Sequence, residues 1–200
     1  MKEFLRDLKR YITYYQWLLK GRPGIAPHIM FKRKRIVKFS KMYNCNTFIE
    51  TGTHDGRTVK FLRNRFKKLM SVEVYKPCFD NSLKRTKSYS NIKLFFGDSK
   101  IMLPRMLEQI EGRALFWLDG HFSGHGTGKS EVNCPVNDEL EAIKRLDRKD
   151  HLILIDDARE FIGQNDYPDI KLVMKKLKEI NPNYKIEVSN DCIIAVPDKF

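Results

Sequence analysis

Three carboxylates and an imidazole fall just beyond two apolar runs of this 200-residue chain: "ALFWLDGH" ends in Asp119 and His121, and "LILIDD" in Asp156 and Asp157. If the runs are neighbouring parallel strands, about 5 Å apart, these side chains share one small volume. Carboxylates that close repel and raise one another's pKa unless a cation intervenes. Magnesium or another divalent cation is the natural partner of such oxygens, which makes Asp119, Asp156 and Asp157 candidate metal ligands. His121, with an ordinary pKa near neutrality, is the candidate general base, and Asp119 an alternative one. A reading without metal stays open, in which Asp119 faces a bound ligand and Asp156 caps a turn.

A second set of residues lies upstream. "ETGTHDG" supplies Glu50, Gly52, Thr53, Asp55 and Gly56, with Thr58 in the following helix. Its glycines allow a sharp turn and close approach of backbone to a ligand, and the helix start offers free N–H groups. Some 20 residues on, a strand ends at Glu73, placed to accept hydrogen bonds from ribose hydroxyls. The next strand ends in "GDS", bringing Asp98 and Ser99 to the same crevice, where a carboxylate can bind an adenine amino group. The run "SGHGTGKS", 123–130, imitates a phosphate-binding P-loop but fails as one. "GHF" separates it from the strand, Ser123 stands where the first glycine is required, and Pro135 would interrupt the helix that must follow.

The elements that must position these groups follow from hydrophobic periodicity. Strands are predicted at "TFIET", "LMSVEV", "IKLFF", "ALFWLD", "HLILID", "KIEV" and "CIIAV". Amphipathic helices separate the first five, an alternation that argues for a parallel sheet covered on both faces. Only "SND" separates the last two strands, so the final one is antiparallel. The expectation is an α/β, Rossmann-like, doubly wound seven-stranded sheet, mostly parallel with an antiparallel last strand, plus N-terminal helices. In such sheets ligands bind beyond the carboxyl ends of the strands, where every candidate above lies.

"ETGTHDG", strand-end Glu73, "GDS" and the terminal hairpin, in that order, resemble the class I S-adenosylmethionine-dependent methyltransferases over roughly Asn46 to Phe200. The resemblance implies that the glycine loop holds the amino-acid end of S-adenosylmethionine, Glu73 its ribose and Asp98 its adenine. Asp119 followed by the pair Asp156-Asp157 is similar to the metal-dependent O-methyltransferases of the macrocin (sugar) type. This implies Mg-assisted methylation of a sugar or other vicinal-oxygen acceptor, a glycan or small molecule. Two alternatives remain: an RNA or ribose methyltransferase, and a catalytically silent Rossmann-like binding module. The position after the fourth strand reads "DGHF", unlike the Asn/Asp-Pro-Pro-aromatic pattern of base-nitrogen methyltransferases.

Composition sets the frame. A formal charge of +13 is concentrated at one end: 18 of the 38 Lys and Arg, but only 4 of the 25 Asp and Glu, precede residue 71. Residues 1–44 are expected to form a basic helical extension packed on a methyltransferase domain of residues 45–200. A stripe at Phe4, Leu8, Tyr11, Tyr15 and Leu18 predicts one helix. "FKRKRIVKFSKMY" predicts a second, with Ile36, Phe39 and Tyr43 inward and its lysines and arginines elsewhere. These basic helices could meet an anionic membrane, an acidic glycan or nucleic acid. Four cysteines without a CxxC pair are expected to be reduced, and no apolar run approaches membrane-spanning length, so a cytoplasmic protein is expected, peripheral at most to a membrane. The glycine-rich connection from Gly120 to Gly128 is expected to be mobile and to close over substrate. Lys129 and Arg159 are candidates for contacting an acidic acceptor.

Overall fold

The computed structural model describes residues 2–121 and 133–198; most of the glycine-rich connection, with Lys129, lies outside them. Two helices, α1 (Lys2–Leu19) and α2 (Ile29–Met42), precede β1 (Thr47–Thr51). There follow α3 (Arg57–Leu62), β2 (Lys68–Glu73), α4 (Lys76–Thr86), β3 (Ile92–Phe96), α5 (Ser99–Leu107) and β4 (Ala114–Leu118). The chain ends with α6 (Val136–Lys144), β5 (Leu152–Asp156), a 3-10 turn (Ala158–Glu160), α7 (Ile170–Ile180), β6 (Lys185–Val188) and β7 (Cys192–Val196). The sheet order is β3-β2-β1-β4-β5-β7-β6, with β1 to β5 parallel and β7 antiparallel to both neighbours.

The winding explains the strand sequences. β1, β4 and β5 sit in the middle of the sheet and are buried at every position; β4 and most of β5 therefore read as unbroken apolar runs, while β1 also buries Thr47, Glu50 and Thr51. One face packs α2 and α3 through Ile36, Val59, Leu62, Phe48 and Leu154, and the other packs α5, α6 and α7 through Leu103, Leu140, Val173 and Leu177. Chain order reverses between β1 and β4, the switch point at which open α/β sheets leave a crevice. The terminal hairpin closes as expected. Asn190 and Asp191 both have positive φ, the type I′ geometry that matches strand twist, and Ser189 N–H donates to Cys192 O at 2.9 Å.

The N-terminal helices depart from their expected faces. In α1, Leu8, Tyr11 and Tyr15 are exposed, together with Leu5, Ile12 and Leu19, while Tyr14 is buried. The helix docks instead through Tyr14 and Trp17, whose rings pack on His28 and Phe31, with Lys34 over Tyr14 at 4.4 Å. Periodicity identified an apolar face, but aromatic and cation–π contacts chose another as the contact. In α2, Ile36 and Tyr43 are buried as expected, yet Arg33 and Arg35 are buried too, and Lys32 lies on the Ile36 side, one turn before it. No helix among the described residues is long and apolar enough to cross a membrane.

One buried histidine makes the core sensitive to acid. His151 Nδ1 accepts from Ala114 N–H at 3.0 Å, and burial lowers its pKa to about 4. The unfolded chain therefore takes up this proton first, near pH 6.5, and stability falls as pH drops from there towards 4. The loss should reach about 3 kcal/mol. Urea unfolding at pH 7 and pH 4 should show it, and His151→Gln, which cannot gain the proton, should lack that part of the slope.

Candidate active site

The β1 loop forms one wall of the crevice. Gly52 and Thr53 N–H both donate to Val72 O, at 3.0 and 3.1 Å, folding the turn over the end of β2. Gly52 has φ +83°, and a Cβ there would lie 2.8 Å from the carbonyl carbon of Asp119. Gly56, at φ +71°, starts α3 against Ser82. A cavity of about 330 Å³ opens beside the loop, lined by Glu50, Gly52, Thr53, Asp55 and Asp119 at and beyond the strand ends, by Arg57 and Thr58 of α3, and by Arg10 and Arg33 from the N-terminal helices. Glu73, Asp98 and Ser99 do not line it.

Each of those three has an identified local role. Glu73 accepts from His54 N–H at 2.6 Å and Tyr75 N–H at 2.8 Å, so it pins the glycine loop. Asp98 caps α5 by accepting from Lys100 N–H at 2.8 Å. Ser99 is buried at the start of α5, where it helps to lower the pKa of Glu139. Asp55 is turned towards Arg57, 2.6 Å away, and Thr58 Oγ1 accepts from Arg33 Nε at 3.4 Å.

Two carboxylates beside the crevice are buried. Glu50 is buried, accepts from Ser71 Oγ at 2.7 Å, and burial pushes its pKa up to about 8. Glu139, on the inner face of α6, is pushed up to about 7 by burial, with Ser99 and Thr51 partly offsetting this. Its Oε1 has no partner among the described residues. Sequence reasoning passed over Glu139, although it sits three residues after Val136 and one before Leu140, on the helix's apolar face. A carboxylate at such a position was the available signal.

Across the crevice, the ends of β4 and β5 converge as expected. Donor atoms of Asp119, His121 and Asp157 lie within 4.8 Å of one another. His121 Nε2 and Asp157 Oδ2 are 2.9 Å apart, and Nδ1 is 3.7 Å from Asp119 Oδ1, so both ring nitrogens face carboxylates. Asp157 adopts the left-handed conformation, φ +51°, uncommon for a residue other than glycine. Arg159 is held by Asp157, Glu160 and Asp191.

Asp156 is placed differently from its sequence expectation. Its Oδ2 accepts from Lys32 Nζ at 2.5 Å, and the same ammonium is 3.3 Å from Asp157 Oδ1. Burial alone would lower the Lys32 pKa, but Asp156 outweighs it and the net shift is upward. Burial, and then the charge of Asp156, raise Asp119, whereas the hydrogen bond from His121 and the Lys32 charge outweigh burial and hold Asp157 well below the usual carboxylate range. A lysine 124 residues away thus supplies part of the neutralising charge that spacing had assigned to a metal.

The donor set still fits a divalent cation. Three carboxylates against the Lys32 ammonium and the Arg159 guanidinium leave a formal excess of one negative charge, and Asp156 Oδ1 is buried without a partner among the described residues. The imidazole in the set suits manganese or iron(II) better than magnesium, which prefers oxygen alone. The first cavity carries both signs, Glu50, Asp55 and Asp119 with Arg10, Arg33 and Arg57, which suits a zwitterionic ligand.

No protein-family model matches the sequence, and no curated protein is significantly similar to it. Solved structures do resemble the fold. An O-methyltransferase from Bacillus cereus in complex with SAH superposes with a TM-score of 0.60 at 12% identity, covering 95% of this chain and 91% of that one. The O-methyltransferase TomG from Streptomyces achromogenes, involved in tomaymycin synthesis and bound to SAM, gives 0.57 at 12%, covering 94% and 89%. The SAH-bound methyltransferase PaMTH1 of Podospora anserina gives 0.56 at 14%, covering 95% and 88%. Strand order, reversed β7 and glycine turn agree with this likeness, and the chain has the fold of the class I methyltransferases.

Proposed function

We propose that this chain is a methyltransferase that moves a methyl group from S-adenosylmethionine to a hydroxyl oxygen of a small acceptor. The observation that carries the reading is the crevice at the β1–β4 switch point, with the glycine turn on one side and Asp119, His121 and Asp157 on the other. Gly52, Thr53 and Glu50 would hold the amino-acid end of the cofactor; Glu73, Asp98 and Ser99, which lie outside that cavity, are the candidates for its ribose and its adenine. S-adenosylmethionine supplies an activated methyl, and a divalent cation would lower the pKa of the acceptor hydroxyl. Asp119, His121 and Asp157 would hold that cation and orient two vicinal oxygens, which is the reason for a sugar or related polyol as acceptor. With one His121 ring nitrogen on the cation, the hydroxyl proton would go to the other, once the carboxylate facing that nitrogen gives way.

The Lys32–Asp156 ion pair favours a second, metal-free reading. Here Lys32 and His121 neutralise the cluster themselves, and Asp119 takes the proton. Calorimetric titration of the protein with S-adenosylhomocysteine, in manganese, in magnesium and in EDTA, tests both. Micromolar binding in all three with a separate cation-binding heat that disappears in Asp157→Asn supports the metal reading. Cofactor binding without any cation heat supports the second. No binding of S-adenosylhomocysteine by folded protein would discard methyl transfer and leave a silent binding module.

A further inference from the structure

The outer face of α1 is apolar and open to water. Leu5, Leu8, Ile12, Tyr15 and Leu19 recur at intervals of three and four residues, so they form one stripe along the helix, and each is at least 47% exposed. Leu19 reaches 88%, and Ile25, in the connection that follows, 79%. Exposed Tyr11 widens the stripe on one side. Lys9, Gln16 and, just past the helix, Lys20 border it on the other, and all three are exposed. The helix holds to the body by its opposite side, where Tyr14 is buried and the Trp17 ring packs on Phe31.

A contiguous apolar surface left in water marks a place that a partner or another apolar phase covers. Charge decides which. The chain has no Asp or Glu from residue 8 to residue 49, and Lys9, Lys20, Arg22, Lys34, Lys38 and Lys41 are exposed over that stretch. A helix with cations along one edge, tyrosines beside aliphatic side chains and no carboxylate in its last three turns suits a bilayer interface. Its apolar side chains enter the acyl boundary while its cations meet anionic headgroups. Pairing with an antiparallel second copy would instead set the Lys9 edge against itself. A nucleic acid would meet the cations but leave the stripe in water.

We propose that this face of α1 docks on the surface of a bilayer containing anionic lipid. The helix lies flat there, being neither long nor apolar enough to cross. Arg10, which lines the cofactor crevice, stands about 200° round the helix from both Leu8 and Ile12. Docking therefore puts the crevice behind α1, about one helix diameter or 10 Å from the headgroups. The docking surface does not depend on the methyltransferase reading.

The test is cosedimentation of the full chain with vesicles of phosphatidylcholine alone and of phosphatidylcholine with phosphatidylglycerol. Partition onto the anionic vesicles should be stronger by about tenfold or more, and sodium chloride should reverse it. The double variant Leu8→Gln/Ile12→Gln changes side chains already in water, so circular dichroism should show it folded, and its partition should fall by about tenfold or more. Leu19→Ser/Ile25→Ser, at the end of the helix and beyond it, gives the same test if the first variant does not fold. Lys9→Gln/Lys20→Gln should weaken capture by the anionic vesicles alone. No capture by anionic vesicles, or capture unchanged in the apolar variants, overturns the proposal. A dimer in sedimentation velocity that Leu8→Gln/Ile12→Gln dissociates, without vesicle capture, overturns it in favour of a second copy. Binding of duplex RNA without vesicle capture overturns it in favour of nucleic acid. S-adenosylhomocysteine titration in parallel reports the crevice separately, so the two readings can fail independently.

Discussion

Gly52→Ala is expected to abolish binding of S-adenosylhomocysteine. The residue sits at φ +83°, where an L side chain is strained, and the added Cβ would press into the Asp119 carbonyl with the carbonyl carbon only 2.8 Å away. Both obstacles are backbone, so no rotamer change relieves them. The turn and the β4 end must move apart, which breaks the bonds from Gly52 and Thr53 N–H to Val72 O and separates Glu50 from Asp119. We expect a stability loss of about 2–4 kcal/mol, at the upper end for point mutations because strain and lost hydrogen bonds combine. Affinity should fall beyond calorimetric detection while the far-ultraviolet dichroism of the sheet is kept. Gly112, at φ +74° with open space around it, is the control: Gly112→Ala should cost only its backbone strain and leave binding intact. Equal binding by the Gly52 and Gly112 variants would mean that the cofactor does not enter by this turn.

Lys32→Met carries the second large effect. Asp156 is 2% exposed, and removing its ammonium leaves a buried carboxylate without compensation, which costs about 3–5 kcal/mol when one partner of such a pair is deleted. Adding Asp156→Asn should recover much of that loss, because the uncompensated charge goes with it. A double-mutant cycle in urea measures the difference. The same variant separates the two readings of the cluster. Removing one positive charge a few ångströms away should tighten divalent cation binding by about tenfold or more at a partly buried site. Tighter manganese binding in Lys32→Met, lost again with Asp157→Asn, places the ion among Asp119, His121 and Asp157. Loss of methyl transfer without any gain in cation affinity favours Lys32 itself as the working cation.

The sequence alone determined the frame. Each central strand is a short apolar run ending in polar residues. Parallel sheets bury both faces of their strands, so this pattern has few other meanings, and the seven strands appeared close to where spacing put them. Side-chain chemistry at strand ends was legible for the same reason: once order and direction are known, Glu50, Asp119, Asp156 and Asp157 must emerge on one edge of the sheet. The glycines of "ETGTHDG" marked the turn that lets backbone come close, and both have positive φ in the structure.

Tertiary structure alone decided which charges meet. Lys32 and Asp156 are 124 residues apart, and nothing local to "FKRKR" distinguishes the lysine that enters the crevice from those that stay in water. Its place one turn before Ile36 was readable, but a lysine on an apolar face is ordinarily free to extend to solvent, and only the β5 end above α2 gives it a buried partner. Arg6, Arg33, Lys60 and Arg85 were equally visible as positive charge, and their convergence on one concavity is a property of four helices packed together. Patterns of period two and three to four are local, so they survive in the sequence; the pairing of a buried charge is set by contacts between distant segments, and exists only once the chain has folded.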